Sequence, residues 1–181
     1  MNLTEKGISE SYKYRGKIVN MRVDEALLPN GSVAIREVVE HNGGVCVVAL
    51  TENDEIYLVK QFRYPYKEVI YEIPAGKRDS DEDPMQGAIR ELREETGTTA
   101  DTIIPIGQLY PTPGYCGEII HMFAAKGLKE GAKNLDEDEF LEAEKFPLEQ
   151  VIEMILSGEI KDAKTQAAVL KIAEMKRRGE F

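Results

Sequence analysis

The chain has 181 residues and is 42% hydrophobic, which suits one domain with a sizeable core, or one domain with an appendage. Its formal net charge of -10 would repel a nucleic acid or an anionic membrane, so we expect neither as a partner, and a small anionic substrate would need local compensation by a metal or by arginine. The sequence has no apolar run of about 20 residues and no signal-peptide pattern, which indicates a cytoplasmic protein. Its two cysteines do not favour a disulfide framework, and its two histidines do not favour a His-rich zinc site.

The first 42 residues have the patterns of β-strands, and we expect them to form a small N-terminal β extension. The strand patterns lie at residues 11–14, 18–27 and 32–39. A turn signal, Pro29-Asn30-Gly31, precedes the last of them. We assign residues 43–181 to a second, larger domain.

This larger domain begins with a continuous apolar run at residues 43–50, which is suited to a central strand. Further strands are predicted at residues 55–61, 69–72, 102–110, 118–126 and 139–146. Pro147 opens a helical segment that Gly158 closes, and a last helix is predicted over roughly residues 161–178. Strands around a helix, followed by a helical tail, predict a mixed α+β fold.

A helix at residues 84–96 has the clearest boundaries in the chain. Asp83 is suited to the N-cap and Pro84 to the first helical position, and Gly97 is a stop signal. Gln86 completes a capping-box-like pair with Asp83. At about 100° per residue, an apolar stripe forms that should pack on the sheet. Its members are Met85, Ala88, Ile89, Leu92 and Thr96.

Glu91, Glu94 and Glu95 form a separate band beside this stripe. Carboxylates at this spacing repel one another and destabilise a helix, so something must offset the repulsion. Solvent and the neighbouring Arg90 and Arg93 could do so, as on any acidic helix. A cation is the sharper explanation, because Mg²⁺ prefers oxygen ligands and is typically held by one or two carboxylates while substrate phosphates complete its shell.

The wider pattern around the glutamates decides in favour of the cation. Five residues separate Gly76 from Glu82, seven more lead to Arg90, and the run R-E-L-R-E-E-T-G-T then ends at Thr98. This pattern resembles the Nudix box at every fixed position but the last, where Thr98 stands in place of the usual aliphatic residue. The resemblance implies a Nudix fold, which is an α/β/α sandwich with a mixed sheet, and makes residues 43–181 a Nudix catalytic domain.

The Nudix resemblance also implies a set of metal ligands. They are the side chains of Glu91, Glu94 and Glu95 and the backbone carbonyl of Ala75. Two or three Mg²⁺ ions are expected, and Mn²⁺ is an open alternative. Arg90 is expected to orient the glutamates, with Glu72 as a candidate partner, and Glu82 is expected to be structural or a water-mediated outer ligand.

A second pattern concerns the substrate. Pro113 stands sixteen residues beyond Gly97 and Glu118 follows, which resembles the ADP-ribose pyrophosphatase branch of the family, although an ordinary Pro-Gly turn would give the same local sequence. The segments at residues 61–65 and 71–76 and the β-rich extension are similar to the same branch. In that branch the extension exchanges between two subunits and helps to form the adenine pocket, which implies a homodimer.

This branch suggests candidate substrate-binding residues. They are Arg63, Arg36, Pro113, Gly114 and Glu118. Arg63 could clamp a phosphate or the terminal ribose, because a guanidinium offers fixed, bidentate donors, and Arg36 could come from the partner subunit. An ordinary surface salt bridge is the alternative for either arginine. The adenine would stack on Tyr12, Tyr14 or Tyr64.

The implied reaction is hydrolysis of ADP-ribose to AMP and ribose 5-phosphate by a deprotonated water that attacks phosphorus. We expect the base in an acidic loop at residues 127–139: Glu139 is favoured because it directly precedes the next strand, Glu137 is second, and Glu94 of the helix is also a catalytic candidate. A merely solvated loop is the alternative.

Two other functions stay open: a Nudix hydrolase of a nucleoside triphosphate, a dinucleoside polyphosphate or a nucleotide sugar, and a sensor that binds a nucleotide without cleaving it. A sensor would be expected to lose carboxylates of the box, and this chain has them all.

Overall fold

The computed structural model describes residues 2–79, 81–133 and 140–181. The strands are β1 (Lys6–Arg15), β2 (Val19–Leu27), β3 (Val33–His41), β4 (Gly44–Ala49), β5 (Glu55–Arg63), β6 (Glu68–Glu72), β7 (Ala75–Lys77), β8 (Thr98–Leu109), β9 (Ile120–Glu130) and β10 (Leu141–Pro147). The helices are α1 (Pro84–Thr96), α2 (Leu148–Leu156) and α3 (Ala163–Arg177). None of the helices in these ranges has the length and apolar character that crossing a bilayer requires.

The chain divides into two compact units. The first unit comprises Met1–Gly43 and Tyr110–Ile119, and its antiparallel sheet has the order β1-β2-β3. The later segment joins β3 through two backbone hydrogen bonds: Val39 N–H donates to Tyr115 O at 2.8 Å, and Gly117 N–H donates to Val39 O at 2.9 Å. The first unit therefore holds more of the chain than the predicted extension, whose exchange in a dimer stays a prediction.

The second unit comprises Gly44–Leu109 and Ile120–Phe181. It contains a mixed sheet of order β7-β4-β9-β8, in which β4 and β9 are parallel, and an antiparallel sheet of order β10-β5-β6. Alternate residues of β4 pack into two cores, one shared with α1 and the other with α2 and α3. A strand that is covered on both faces needs an apolar residue at every position, which explains its continuous apolar run. The predicted sandwich with a mixed sheet is confirmed.

The bounds of α1 agree with the prediction, because local signals set both ends. The Asp83 carboxylate accepts hydrogen bonds from the N–H groups of Met85 at 3.0 Å and Gln86 at 3.2 Å. Gly97 adopts the left-handed conformation, with φ of 70°, and its N–H donates to Arg93 O at 2.9 Å. The helix therefore begins and ends where its capping residues lie.

Several bounds in the second unit differ from the predicted elements, and two of the differences lie close to α1. The first is β7, which was not predicted: it has three residues and pairs with β4, with Gly76 opposite Val45. The second is the start of the acidic loop. We predicted it at residue 127, and that position is wrong. Residues up to Glu130 continue β9, because β8 begins directly after α1 and places Thr98 opposite Glu130.

Candidate active site

The face of α1 that packs on the sheet contains two glutamates. Glu91 and Glu95 are 6% and 2% exposed, whereas Ile89 is 39% exposed. The prediction that Ile89 packs on the sheet, with the glutamates in a separate band beside the apolar stripe, is therefore wrong. The buried face is rotated toward the glutamates, and only Ala88, Leu92 and Thr96 of the predicted stripe are fully buried.

Strand β7 explains this rotation, because it brings backbone atoms to the two buried carboxylates. Ala75 N–H donates to Glu95 Oε2 at 2.9 Å. Gly76 passes so close to Glu91 that a Cβ built on the glycine would lie 1.8 Å from Glu91 Oε1. Buried carboxylates need polar partners, and this approach is available only to a residue without a side chain. The glycine of the box therefore leaves the room that the Glu91 carboxylate occupies.

Arg90 holds three carboxylates around the start of the site. Its Nε donates to Glu82 Oε1 at 3.0 Å, and its Nη1 donates to Glu91 Oε1 at 2.7 Å and to Glu94 Oε2 at 2.9 Å. The hydrogen bond from Arg90 lowers the pKa of Glu82, so that this carboxylate is ionised as a partner of the arginine. These contacts are those that an orienting role for Arg90 requires, with Glu82 as its acidic partner.

Glu72, the candidate partner predicted for Arg90, instead lies on another arginine. It accepts hydrogen bonds from Arg63 Nε at 2.5 Å and Arg63 Nη2 at 2.8 Å, and a further one from Lys164 Nζ. Burial acts to raise the pKa of Glu72, but Arg63 and Lys164 outweigh it and lower that pKa. The prediction for Glu72 is wrong because the Arg63 side chain reaches along the antiparallel pair of β5 and β6 to the Glu72 carboxylate, although Arg63 itself is opposite Glu68 and Glu72 is opposite Val59.

The oxygen donors near Gly76 suit a hard divalent cation in their chemistry. They are the carboxylates of Glu91, Glu94 and Glu95 and the carbonyl of Ala75. Across residues 2–79, 81–133 and 140–181, no three acidic, histidine or cysteine side chains converge on one point as ligands. Glu91 and Glu94 accept hydrogen bonds from Arg90, and Glu95 accepts one from the Ala75 N–H. The donor set fits a cation, because a carboxylate can accept a hydrogen bond from a neighbouring donor and bind an ion at the same time.

Three predicted substrate residues lie together in the first unit. Pro113 and Gly114 are in a turn in which Cys116 N–H donates to Thr112 O at 3.0 Å. Glu118 follows, with Oε1 at 3.5 Å from His41 Nδ1. The turn that was the alternative interpretation of this segment is present, and the substrate role of the three residues stays a prediction.

The remaining predicted site residues are Arg36 and the two base candidates, Glu139 and Glu137. Arg36 forms a bidentate pair with Glu5, at 2.8 Å and 2.7 Å, and the two side chains are 41% and 39% exposed. Such a pair is an ordinary surface salt bridge, the alternative that was open for this arginine. The favoured base candidates, Glu139 and Glu137, lie outside the residues that the structure describes.

The three aromatic candidates for an adenine shelf differ in their surroundings. Tyr12 donates its hydroxyl to Glu40 Oε1 at 3.1 Å and lies under the guanidinium of Arg15. Tyr14 and Tyr64 are both exposed. Tyr64 also has a cation on its ring, since Lys67 Nζ lies 2.8 Å from the ring centroid. An aromatic ring that stacks on a base needs one accessible face, and of the three candidates only Tyr14 has no cation described over its ring.

Sequence reasoning missed Lys164, the second cation on Glu72. Its side chain is 11% exposed, and its Nζ also lies 3.0 Å from Asp162 Oδ1. A lysine in the first turn of a helix is placed against the helix dipole, and this is the signal that could have marked it as a residue with a specific partner.

Comparison with known proteins identifies the class to which this fold and site belong. The chain belongs to the Nudix family: the family model of the NUDIX domain matches residues 40–169. Residues 5–39 match a second family model, the nucleoside diphosphate sugar hydrolase N-terminal domain. The predicted family membership is confirmed.

Individual relatives cover almost the whole chain. The chain is 43% identical over 170 residues to the ADP-ribose pyrophosphatase of Bacillus subtilis, covering 93% of this chain and 92% of that protein. It is 42% identical over 167 residues to the methanol dehydrogenase activator of Bacillus methanolicus, covering 91% and 90%. A crystal structure of an ADP compounds hydrolase matches all of both chains with a TM-score of 0.86 at 20% identity, which confirms the fold.

Proposed function

We propose that the protein is a Nudix pyrophosphohydrolase that cleaves the diphosphate of ADP-ribose to AMP and ribose 5-phosphate. The observation that carries this proposal is the pair of buried glutamates, Glu91 and Glu95, which β7 holds on the packed face of α1. An ADP-ribose pyrophosphatase is among the relatives that cover more than nine-tenths of the chain. The match of residues 5–39 supports a nucleoside diphosphate sugar as the substrate class, to which ADP-ribose belongs.

In this proposal the box residues prepare a site for divalent cations. Glu91, Glu94, Glu95 and the Ala75 carbonyl would hold two or three Mg²⁺ ions, with Mn²⁺ as an alternative, and the bound ions would supply positive charge for the diphosphate. Arg90 holds Glu91 and Glu94 in place and offsets their mutual repulsion. The fold can therefore tolerate several carboxylates close together on α1.

Other parts of the proposal concern the substrate and the assembly. Arg63 would contact the diphosphate or the terminal ribose, because its side chain is 38% exposed although its guanidinium is held by a buried carboxylate. Pro113, Gly114, Glu118 and Arg36 would contact substrate in a homodimer that exchanges its N-terminal extensions. A cytoplasmic location belongs to the same proposal, and the free thiols of Cys46 and Cys116 are compatible with it.

We propose Glu139 as the general base, with Glu137 second. Glu139→Gln should lower kcat roughly 100-fold with KM within about threefold of wild type, because the amide cannot take the proton of the attacking water but keeps the size of the side chain. Steady-state kinetics with ADP-ribose and saturating Mg²⁺ would measure both constants. Glu142→Gln, at an exposed site in β10, is the matched control and should leave kcat unchanged. A normal kcat for Glu139→Gln, with a low one for Glu137→Gln, would transfer the role to Glu137.

A substrate panel tests the proposed function directly. Purified protein with Mg²⁺ would be given ADP-ribose, a GDP-sugar, ATP and a dinucleoside polyphosphate, and the products would be separated by chromatography. AMP from ADP-ribose, with the highest kcat/KM of the panel, is the expected result. Preferential release of pyrophosphate from ATP would contradict the proposal. Tight binding of a nucleotide without turnover of any compound would favour the sensor.

A further inference from the structure

A buried cluster of four charged side chains lies where β5, β6 and the start of α3 meet. Its members are Arg63, Glu72, Asp162 and Lys164. Glu72 is at its centre, with a side chain that is 2% exposed and two cations on its carboxylate. Lys164 and Asp162 are 11% and 16% exposed, whereas Arg63 is 38% exposed. Three members are thus inside the protein, and the fourth reaches solvent.

The start of α3 is fixed to the sheet beside this cluster. Asp162 Oδ2 accepts hydrogen bonds from Thr165 N at 2.9 Å and Thr165 Oγ1 at 2.6 Å. Thr165 Oγ1 in turn accepts one from Ile73 N–H at 2.9 Å, next to Glu72 in the chain. These hydrogen bonds tie the residue that follows Lys164 to the residue that follows Glu72, and so hold Lys164 beside Glu72. For Arg63, the side-chain hydrogen bonds that the structure describes all go to Glu72.

The two cations on Glu72 are consequently not equivalent. Burial acts to lower the pKa of Lys164, but Glu72 and Asp162 outweigh it and raise that pKa, so the lysine stays charged. If Arg63 were the only cation on Glu72, its departure would leave a buried, uncompensated carboxylate, which is strongly unfavourable. With Lys164 present, Glu72 keeps a counter-ion when the arginine leaves.

We propose that Lys164 is a positioning residue: it stays on Glu72 as a permanent counter-ion, so that Arg63 can transfer its guanidinium from Glu72 to the anionic oxygens of a nucleoside diphosphate substrate. The identity of that substrate rests on the proposed function. Before substrate binds, Glu72 orients Arg63 through their hydrogen bonds. Lys164 sets how readily the arginine is released. The residues that hold the box glutamates take no part in this step.

Steady-state kinetics of Lys164 variants test the proposal. Lys164→Met keeps the length of the side chain but removes its charge, so Glu72 should hold Arg63 more tightly; KM for ADP-ribose should rise roughly tenfold, with kcat within about twofold. Lys164→Arg should restore most of the wild-type KM. The matched control is Lys161→Met, because Lys161 forms an exposed pair with Glu68 at 2.8 Å, and it should change neither constant.

A double variant separates this role from a merely structural one. In Lys164→Met/Glu72→Gln the buried anion that competes for Arg63 is gone, so KM should return to within about threefold of wild type, although more hydrogen bonds of the cluster have been removed. A thermal unfolding curve for each variant shows that it is folded. An unchanged KM for Lys164→Met, or a double variant as impaired as the single one, would overturn the proposal.

A binding measurement keeps this inference separate from the proposed function. With excess EDTA, ADP-ribose would be titrated into ¹⁵N-labelled protein, and the Arg63 Nε–H signal, assigned by its loss in Arg63→Lys, would be followed by NMR. The signal should shift in the wild type and require roughly tenfold more ADP-ribose in Lys164→Met. A shift in the wild type without turnover in Mg²⁺ would sink the proposed function only, whereas an Arg63 signal that ADP-ribose does not move would overturn the inference.

Discussion

Glu95→Gln is expected to lower kcat roughly 100-fold or more and to weaken the apparent Mg²⁺ affinity at least tenfold. The side chain is almost fully buried and accepts a hydrogen bond from Ala75 N–H, and the glutamine oxygen can keep that bond while the negative charge is lost. The fold should therefore survive the change. Kinetic activation by Mg²⁺ and calorimetric titration of the ion would measure the two effects separately.

The control for this variant is Glu153→Gln, which makes the same chemical change at an exposed position of α2. It should leave both kcat and the Mg²⁺ affinity at wild-type values. An unchanged ion affinity in Glu95→Gln, together with normal turnover, would remove Glu95 from the proposed ligand set.

Gly76→Ala is expected to lower kcat roughly 10- to 100-fold, with a much smaller effect on thermal stability. The new methyl group would lie 1.8 Å from the present position of Glu91 Oε1, so the carboxylate must move away. Because the obstacle is the far end of a flexible side chain, the backbone can stay in place while the carboxylate is displaced. Steady-state kinetics and a thermal unfolding curve would separate the two effects.

Gly7→Ala is the matched control, since a Cβ at Gly7 meets nothing within 4 Å. It should leave kcat unchanged. A normal kcat in Gly76→Ala would show that the close approach of β7 to Glu91 is not needed for turnover. A large fall in melting temperature with a proportional loss of folded protein would show that the glycine serves stability instead.

The parts of the fold that sequence predicted correctly are set by local signals. Asp83 and Gly97 fix the ends of α1 through hydrogen bonds to residues within four positions, so the bounds could be predicted from the capping residues. The apolar run of β4 predicts a strand covered on both faces, and two separate cores meet on it. These patterns need no knowledge of the rest of the chain.

What sequence could not predict depends on contacts between distant residues. The buried face of α1 includes Glu91 and Glu95 because of β7, a three-residue strand too short to show a period of two. The partner of Glu72 could not be inferred either, because Lys164 lies 92 residues further along the chain. The box pattern gave the positions of the glutamates, but which donor each carboxylate faces follows only from the packing.

The parallel pairing of β4 with β9 also bears on how the chain reaches its native state. Val45 lies opposite His121, 76 positions further along the chain, so the entropy of closing that long loop is lost before any pairing of β4 with β9 is gained. Refolding should accordingly be slower than for a helical protein of this size. During the delay the apolar run of β4 is the segment most prone to self-association, and the acidic balance of the chain opposes this by mutual repulsion.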